Sequence, residues 1–187
     1  MPKVTITEVQ SLLDPLTSSL YELRFPTMAG VANSADGVRQ LRIACQECSL
    51  PAKTTEAVDV EVHAHMLHYT GKVTYSGDLS ITFVENRKMS IYNYLYDWQA
   101  YSKNHTNQLG EFKEQYAKPA ELRVFDQKQA VVGAYKLFGF WISEIPEVTF
   151  NSDEAVVTLG CTFKYDYFER FAEGTSAAHP ASGAVTA

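Results

Sequence analysis

The chain is poor in cysteine, with three in 187 residues, and an odd number excludes a self-contained disulfide framework. No run approaches the roughly eighteen apolar residues that a membrane-spanning helix needs, so no helical span and no membrane anchor are expected. Basic residues are in deficit: 16 Lys and Arg stand against 22 Asp and Glu, a formal net charge of -6. Nucleic-acid binders draw most of their affinity from basic side chains that displace counterions, so such binding is not expected as the main activity. Gly-rich phosphate loops and the nucleophile-elbow motif are missing, and Gly133 and Gly139 are wrongly spaced for a dinucleotide fingerprint. The opening residues, Met1-Pro-Lys-Val-Thr-Ile-Thr-Glu, lack a charged leader followed by an apolar stretch, which predicts a chain made and kept in the cytosol.

What is present has ordinary globular composition, 45% hydrophobic and 20% charged, and the length of one domain with a real core. Patterning divides it into an N-terminal arm over 1–19, a mainly β domain over 20–170 and a flexible tail over 171–187 rich in Ala, Gly, Ser and Thr. Strands are predicted at 20–25, 39–45, 58–66, 69–75, 79–84, 120–126, 130–142, 147–150 and 155–167, with loops over 28–38 and 103–118. One helix interrupts them. Over 89–101, Ile91, Leu95 and Trp98 recur at i, i+4 and i+7, a stripe suited to packing on a sheet.

The segment 58–66 alternates cleanly. It predicts Val58, Val60, Val62, Ala64 and Met66 on a dry face, and Asp59, Glu61, His63 and His65 on a wet one. His63, His65 and His68 have the H-x-H-x-x-H spacing of metallo-β-lactamase-type hydrolases, with Leu67 where those enzymes carry Asp. A zinc-dependent hydrolase using these three is the enzyme alternative. The plainer reading is solvated strand histidines, because a metal needs three or four convergent ligands. Cys45-Gln-Glu-Cys48 is half of a zinc-ribbon pattern without its second half, and Cys161 lies far away. Buried inert thiols are the plainer account. An unpaired cysteine also leaves Cys45, Cys48 and Cys161 as candidates for an intersubunit disulfide. Glu144, Glu147 and Asp153 form no acid/base pair, so neither an enzyme nor a cofactor is expected. A ligand-binding β-sandwich with Trp98 or Trp141 as a platform is a weaker rival, since both sit among apolar neighbours.

The order of pieces over roughly residues 15–168 resembles the tail tube protein of contractile-tailed bacteriophages. The likeness rests on Cys45-Gln-Glu-Cys-Ser-Leu-Pro51, the long hairpin after it, and Ile81-Thr-Phe-Val-Glu-Asn86 leading into a helix with Asp97-Trp98-Gln99. Glu144-Ile-Pro-Glu-Val-Thr-Phe150 before a long closing strand fits as well, while residues 28–37 and the tail depart from the pattern. The resemblance implies an antiparallel β-sandwich or small barrel with one flanking α-helix. It further implies assembly into hexameric rings with a shared inner β-barrel, stacked as a tube. The implied partners are further copies of the chain, a sheath protein, baseplate or tube-initiator and tail-terminator proteins, and DNA passing without specific binding. The implied place is the virion tail, assembled in the host cytoplasm. A secretion-system tube protein of the haemolysin-coregulated type is the alternative of the same architecture. Under the resemblance, Asp59, Glu61, His63, His65, Lys72 and Thr74 are lumen-lining candidates, with the outer wall equally open to them. The hairpin 55–75 and the loop 103–118 are the candidates for ring-to-ring contact.

Overall fold

Apolar residues at every second position of two segments set the centre of the molecule. Leu79, Ile81 and Phe83 lie opposite Phe163, Cys161 and Leu159 in a fully paired antiparallel ladder, and all six are buried. A computed structural model describes residues 16–148, 150 and 156–171. Their elements are β1 (Tyr21–Arg24), α1 (Ser34–Ala44), β2 (Cys45–Cys48), β3 (Lys53–Val62), β4 (His65–Tyr75), β5 (Asp78–Val84), α2 (Ser90–Ser102), α3 (Lys113–Tyr116), β6 (Lys118–Phe125), β7 (Val131–Glu144), β8 (Thr158–Lys164) and β9 (Tyr167–Phe171). A seven-stranded sheet runs β1-β6-β7-β8-β5-β2, with β9 also on β7, while β3 and β4 pair only with each other. The protein is mainly β, and α2 flanks the sheet. No helix among the described residues is long and apolar enough to cross a membrane.

Both halves of the sheet share β7. Its residues Ala134–Phe138 pair with β9, and Trp141, Ile142 and Glu144 pair with β8. Between them Gly139 has φ +65°, and a Cβ there would lie 2.1 Å from a carboxylate oxygen of Asp166. Only glycine fits so bent a backbone against so close a neighbour. The partner strand bends with it: the continuous strand expected over 155–167 is split at Tyr165 and Asp166 into β8 and β9. The strand expected at 147–150 is absent, since Glu147, Val148 and Phe150 lie outside any strand.

Packed across the sheet, α2 buries Ile91, Tyr94, Leu95 and Trp98. The Trp98 ring lies 5.9 Å from Phe163 and 6.3 Å from Phe140, and those two phenylalanines stack at 4.8 Å. Each such side chain removed from water contributes about 1.5–3 kcal/mol, which holds the helix in place where propensity alone would not.

Residues 39–45, expected as a strand, belong instead to helix α1 as far as Ala44, with Cys45 opening β2, and the loop expected over 28–38 runs into the first turn of that helix. Two features disguised the helix. Leu41 and Ile43 mimic strand alternation, but Leu41 is buried and Ile43 exposed. Gly37 suggests a turn, yet it marks close packing: a Cβ there would fall 2.3 Å from the Tyr94 ring of α2. Within the region expected as a loop over 103–118, the short helix α3 forms. The N-terminal arm up to residue 15 and the tail from 172 lie outside the described residues.

Candidate functional site: the projecting hairpin

The sequence alternates through residue 62 and then reverses on a two-residue turn, His63-Ala64, whose φ values of 49° and 62° are both positive. Such turns match the twist of paired strands. The continuous strand expected over 58–66 is therefore two strands. It carried no Gly, Asn or Pro at the reversal, so alternation simply read through it. The turn shifts the phase of every later residue. Val58 faces Tyr69, Val60 faces Leu67 and Val62 faces His65, which makes one side apolar. Ala57 faces Thr70, Asp59 faces His68 and Glu61 faces Met66 on the other.

Of the six lumen-lining candidates, Asp59 and Glu61 stay together on the acidic face. His63 stands in the turn and His65 lies on the valine side. Lys72 falls in the bulge where the register shifts, and Thr74 stands opposite Thr54. The zinc trio disperses as well: His68 leaves the other two and pairs with Asp59, Nδ1 to Oδ1 at 2.6 Å. Among the described residues no group of three or more His, Cys, Asp or Glu side chains is placed to hold a metal.

Among the described elements, the hairpin strands make extensive contact only with each other beyond the foot of the hairpin. There Tyr75 packs edge-on against Phe168 at 5.4 Å, and the Ser76 N–H donates to the Ala52 carbonyl at 3.1 Å. Beyond it Val58, Val60, Val62, Leu67 and Tyr69 are 40–55% exposed, a contiguous apolar row in water. Isolated residues of this kind are common on surfaces, but a paired row marks an interaction surface.

Cys45 and Cys48 are half-buried on edge strand β2, and Cys161 is buried in the core. Burial pushes the Cys48 thiol up to about 12, with Cys45 adding to the rise, and the Cys161 thiol likewise to about 12. Burial also raises Cys45, partly offset by the Tyr21 hydroxyl 3.8 Å from its sulfur. All three are free, and only Cys45 and Cys48 have surface from which a neighbouring chain is reached. Trp98, an alternative ligand platform, is wholly buried, and Trp141 is half-buried with Tyr116 edge-on to it at 5.8 Å.

Several solved structures share this fold. The sheath–tube complex of an extracellular contractile injection system in the extended state matches with a TM-score of 0.55 and 8% identity, over 91% of this chain and 99% of that one. The sheath/tube terminator of such a system matches at 0.58 and 9%, over 86% and 99%. The six-fold symmetrised baseplate of the anti-feeding prophage matches at 0.55 and 10%, over 86% and 97%. At these identities the likeness concerns the fold. No curated protein matches the sequence. Residues 16–170, nearly all of the described chain, match the family described as phage tail tube protein, and the chain belongs to that family as a structural tube protein.

Proposed function

We propose that six copies of this chain close into a ring with a shared inner β-barrel, and that stacked rings form the inner tube of a contractile tail through which a genome passes. The observation that carries this reading is the hairpin, whose apolar row the described residues leave exposed. Apolar surface left in water costs about 25 cal/mol per Å2, and identical copies offer one another the same row to bury. Among the described residues, the short strands β1 and β2 end the sheet with unpaired edges, which closure between copies removes.

The likeness to sheath–tube, terminator and baseplate components supports the remaining partners: a sheath outside the tube, a baseplate or initiator at one end and a terminator at the other. The six-fold symmetry of the anti-feeding prophage baseplate supports the ring number. The tube belongs to the virion tail and assembles in the host cytoplasm. Asp59 and Glu61 turn their shared face towards the lumen. With a net charge of -6 per chain, such a wall repels phosphate, so DNA passes without adhering.

Negative-stain microscopy of the purified protein tests the reading. Hollow rods or stacked rings are expected; a lone compact particle at high concentration in every salt would sink it.

A further inference from the structure

Two exposed features towards opposite ends of α2 complement each other. At the C-terminal end Lys103 bridges to Gly110, and two residues on stands Phe112, 84% exposed, the most exposed large apolar side chain among those described. Its neighbours Glu111 and Glu114 are exposed, and neither carboxylate has an ion-pair partner among the described residues. Lys113, between them, is held by both carboxylate oxygens of Asp166 at 2.6 and 2.7 Å. Phe112 is therefore an apolar knob in an acidic collar.

At the other end, about 20 Å away along a 13-residue helix, lies a cavity of about 270 Å3 lined by Met89, Tyr92, Val148, Val157 and Leu159. Arg87 lines it and Lys88 follows Arg87 in the chain; both are exposed and without ion-pair partners among the described residues. Glu85 also borders it, but its carboxylate is engaged by the backbone N–H groups of Asn86, Ile91 and Tyr92. The socket is apolar, with the Arg87 cation at its rim. An apolar cavity of about 150 Å3 already takes a benzene ring, so a phenylalanine side chain fits.

We infer that Phe112 of one copy seats in this cavity on the next copy, with Glu111 and Glu114 facing Arg87 and Lys88. The contact joins two different patches of one chain, the heterologous kind that closes a ring when the rotation permits. The inference rests on the tube reading and names a contact within it.

A photoreactive phenylalanine analogue at position 112 tests the contact directly. In assembled protein, covalent products should map to 87–92 or to Val148, Val157 and Leu159 of a neighbouring copy. Products that map elsewhere, or none at all, overturn the contact. Phe112→Ser should leave thermal unfolding of the isolated chain unchanged and raise the concentration needed for assembly about tenfold or more. Arg87→Glu should weaken assembly, and Glu111→Arg in the same chain should restore it; no restoration counts against the charge pairing. Wild-type protein that never forms rings removes the tube reading itself, whereas normal rings from Phe112→Ser remove only this contact.

Discussion

The hydroxyls of Tyr165 and Ser76 lie 2.6 Å apart, tying the kink between β8 and β9 to the foot of the projecting hairpin. Tyr165 is buried, its ring edge-on to Phe168, and Phe168 packs in turn on Tyr75. The hairpin thus leaves the sheet from a fixed root. Tyr165→Phe is expected to keep the fold and lower the unfolding free energy by about 1 kcal/mol, the usual net worth of one hydrogen bond. Ser76→Ala should cost a similar amount, and the double variant less than both together. Urea titration of the three variants measures this, and full additivity would show that the hydroxyls do not act as a pair.

Glu85 acts as the N-terminal cap of α2 from outside the helix. One carboxylate oxygen accepts from Ile91 N–H at 3.2 Å and the other from Tyr92 N–H at 2.8 Å. First-turn N–H groups have no partner within the helix, and an anion there also suits the helix dipole. Glu85→Ala should lose about 1–3 kcal/mol of stability, with Glu85→Gln in between because it keeps one acceptor. Denaturant unfolding of both variants checks the order, and an alanine variant as stable as wild type would remove the cap.

Gly37 makes a prediction opposite in sign to propensity. Replacing a helical glycine by alanine ordinarily gains about 1 kcal/mol. Here the new methyl would meet the Tyr94 ring at 2.3 Å. That ring is pinned, since its hydroxyl bonds Ser34 Oγ at 3.1 Å and the same oxygen accepts the Met28 N–H at 2.7 Å. Gly37→Ala should therefore destabilise by about 1–3 kcal/mol, the usual cost of overpacking. A higher melting temperature would mean the ring moves freely.

The same glycine shows why part of the fold was hidden in the sequence. Where a side-chain pattern reports one dry face, as in Leu79, Ile81 and Phe83 or in Ile91, Leu95 and Trp98, the element and its buried side were legible. Features set by a tertiary neighbour were not. Gly37 reads as a loop until Tyr94 is known to lie against it, and Gly139 reads as an ordinary strand residue until Asp166 is placed beside it. In the hairpin, the composition of a two-faced ribbon was visible, but His63-Ala64 carries no turn chemistry. The period therefore ran through the reversal and assigned His65 and Met66 to the wrong sides. Phe112 gave no signal because a single exposed ring has no periodicity.

Thiol burial carries a pH dependence with a definite sign. A thiol pushed up to about 12 stays neutral in the folded chain, whereas the unfolded thiol ionises near about 8.5. The unfolded state therefore holds fewer protons above that value. Stability from Cys48 and Cys161 is fully present below about pH 8.5 and is lost as pH rises towards 12. Cys48→Ala should flatten the alkaline decline relative to wild type, measured by urea unfolding between pH 8 and 10.5. In the native monomer at neutral pH, alkylation of Cys161 should be far slower than in urea, because little thiolate is present and the core shields it.

The two faces of the hairpin should fail differently. Val60→Asp with Leu67→Asp places two carboxylates opposite each other on the apolar row, where both positions are solvent-exposed in the single chain. Folding should be little affected, with unfolding free energy within about 1 kcal/mol of wild type, yet assembly should be abolished because each charge would be buried without a partner. Asp59→Lys with Glu61→Lys alters the other face. Those side chains are exposed and carry no core contact, so rods should still form, but with a lumen that attracts phosphate, and genome passage should slow more at low salt than at high. Sedimentation and microscopy separate the first pair from wild type, and ejection kinetics across ionic strength separate the second. Intact rods from the aspartate pair would show that the valine row is not an interface. Unchanged ejection by the lysine pair would place the acidic face away from the channel, leaving the outer wall as its position.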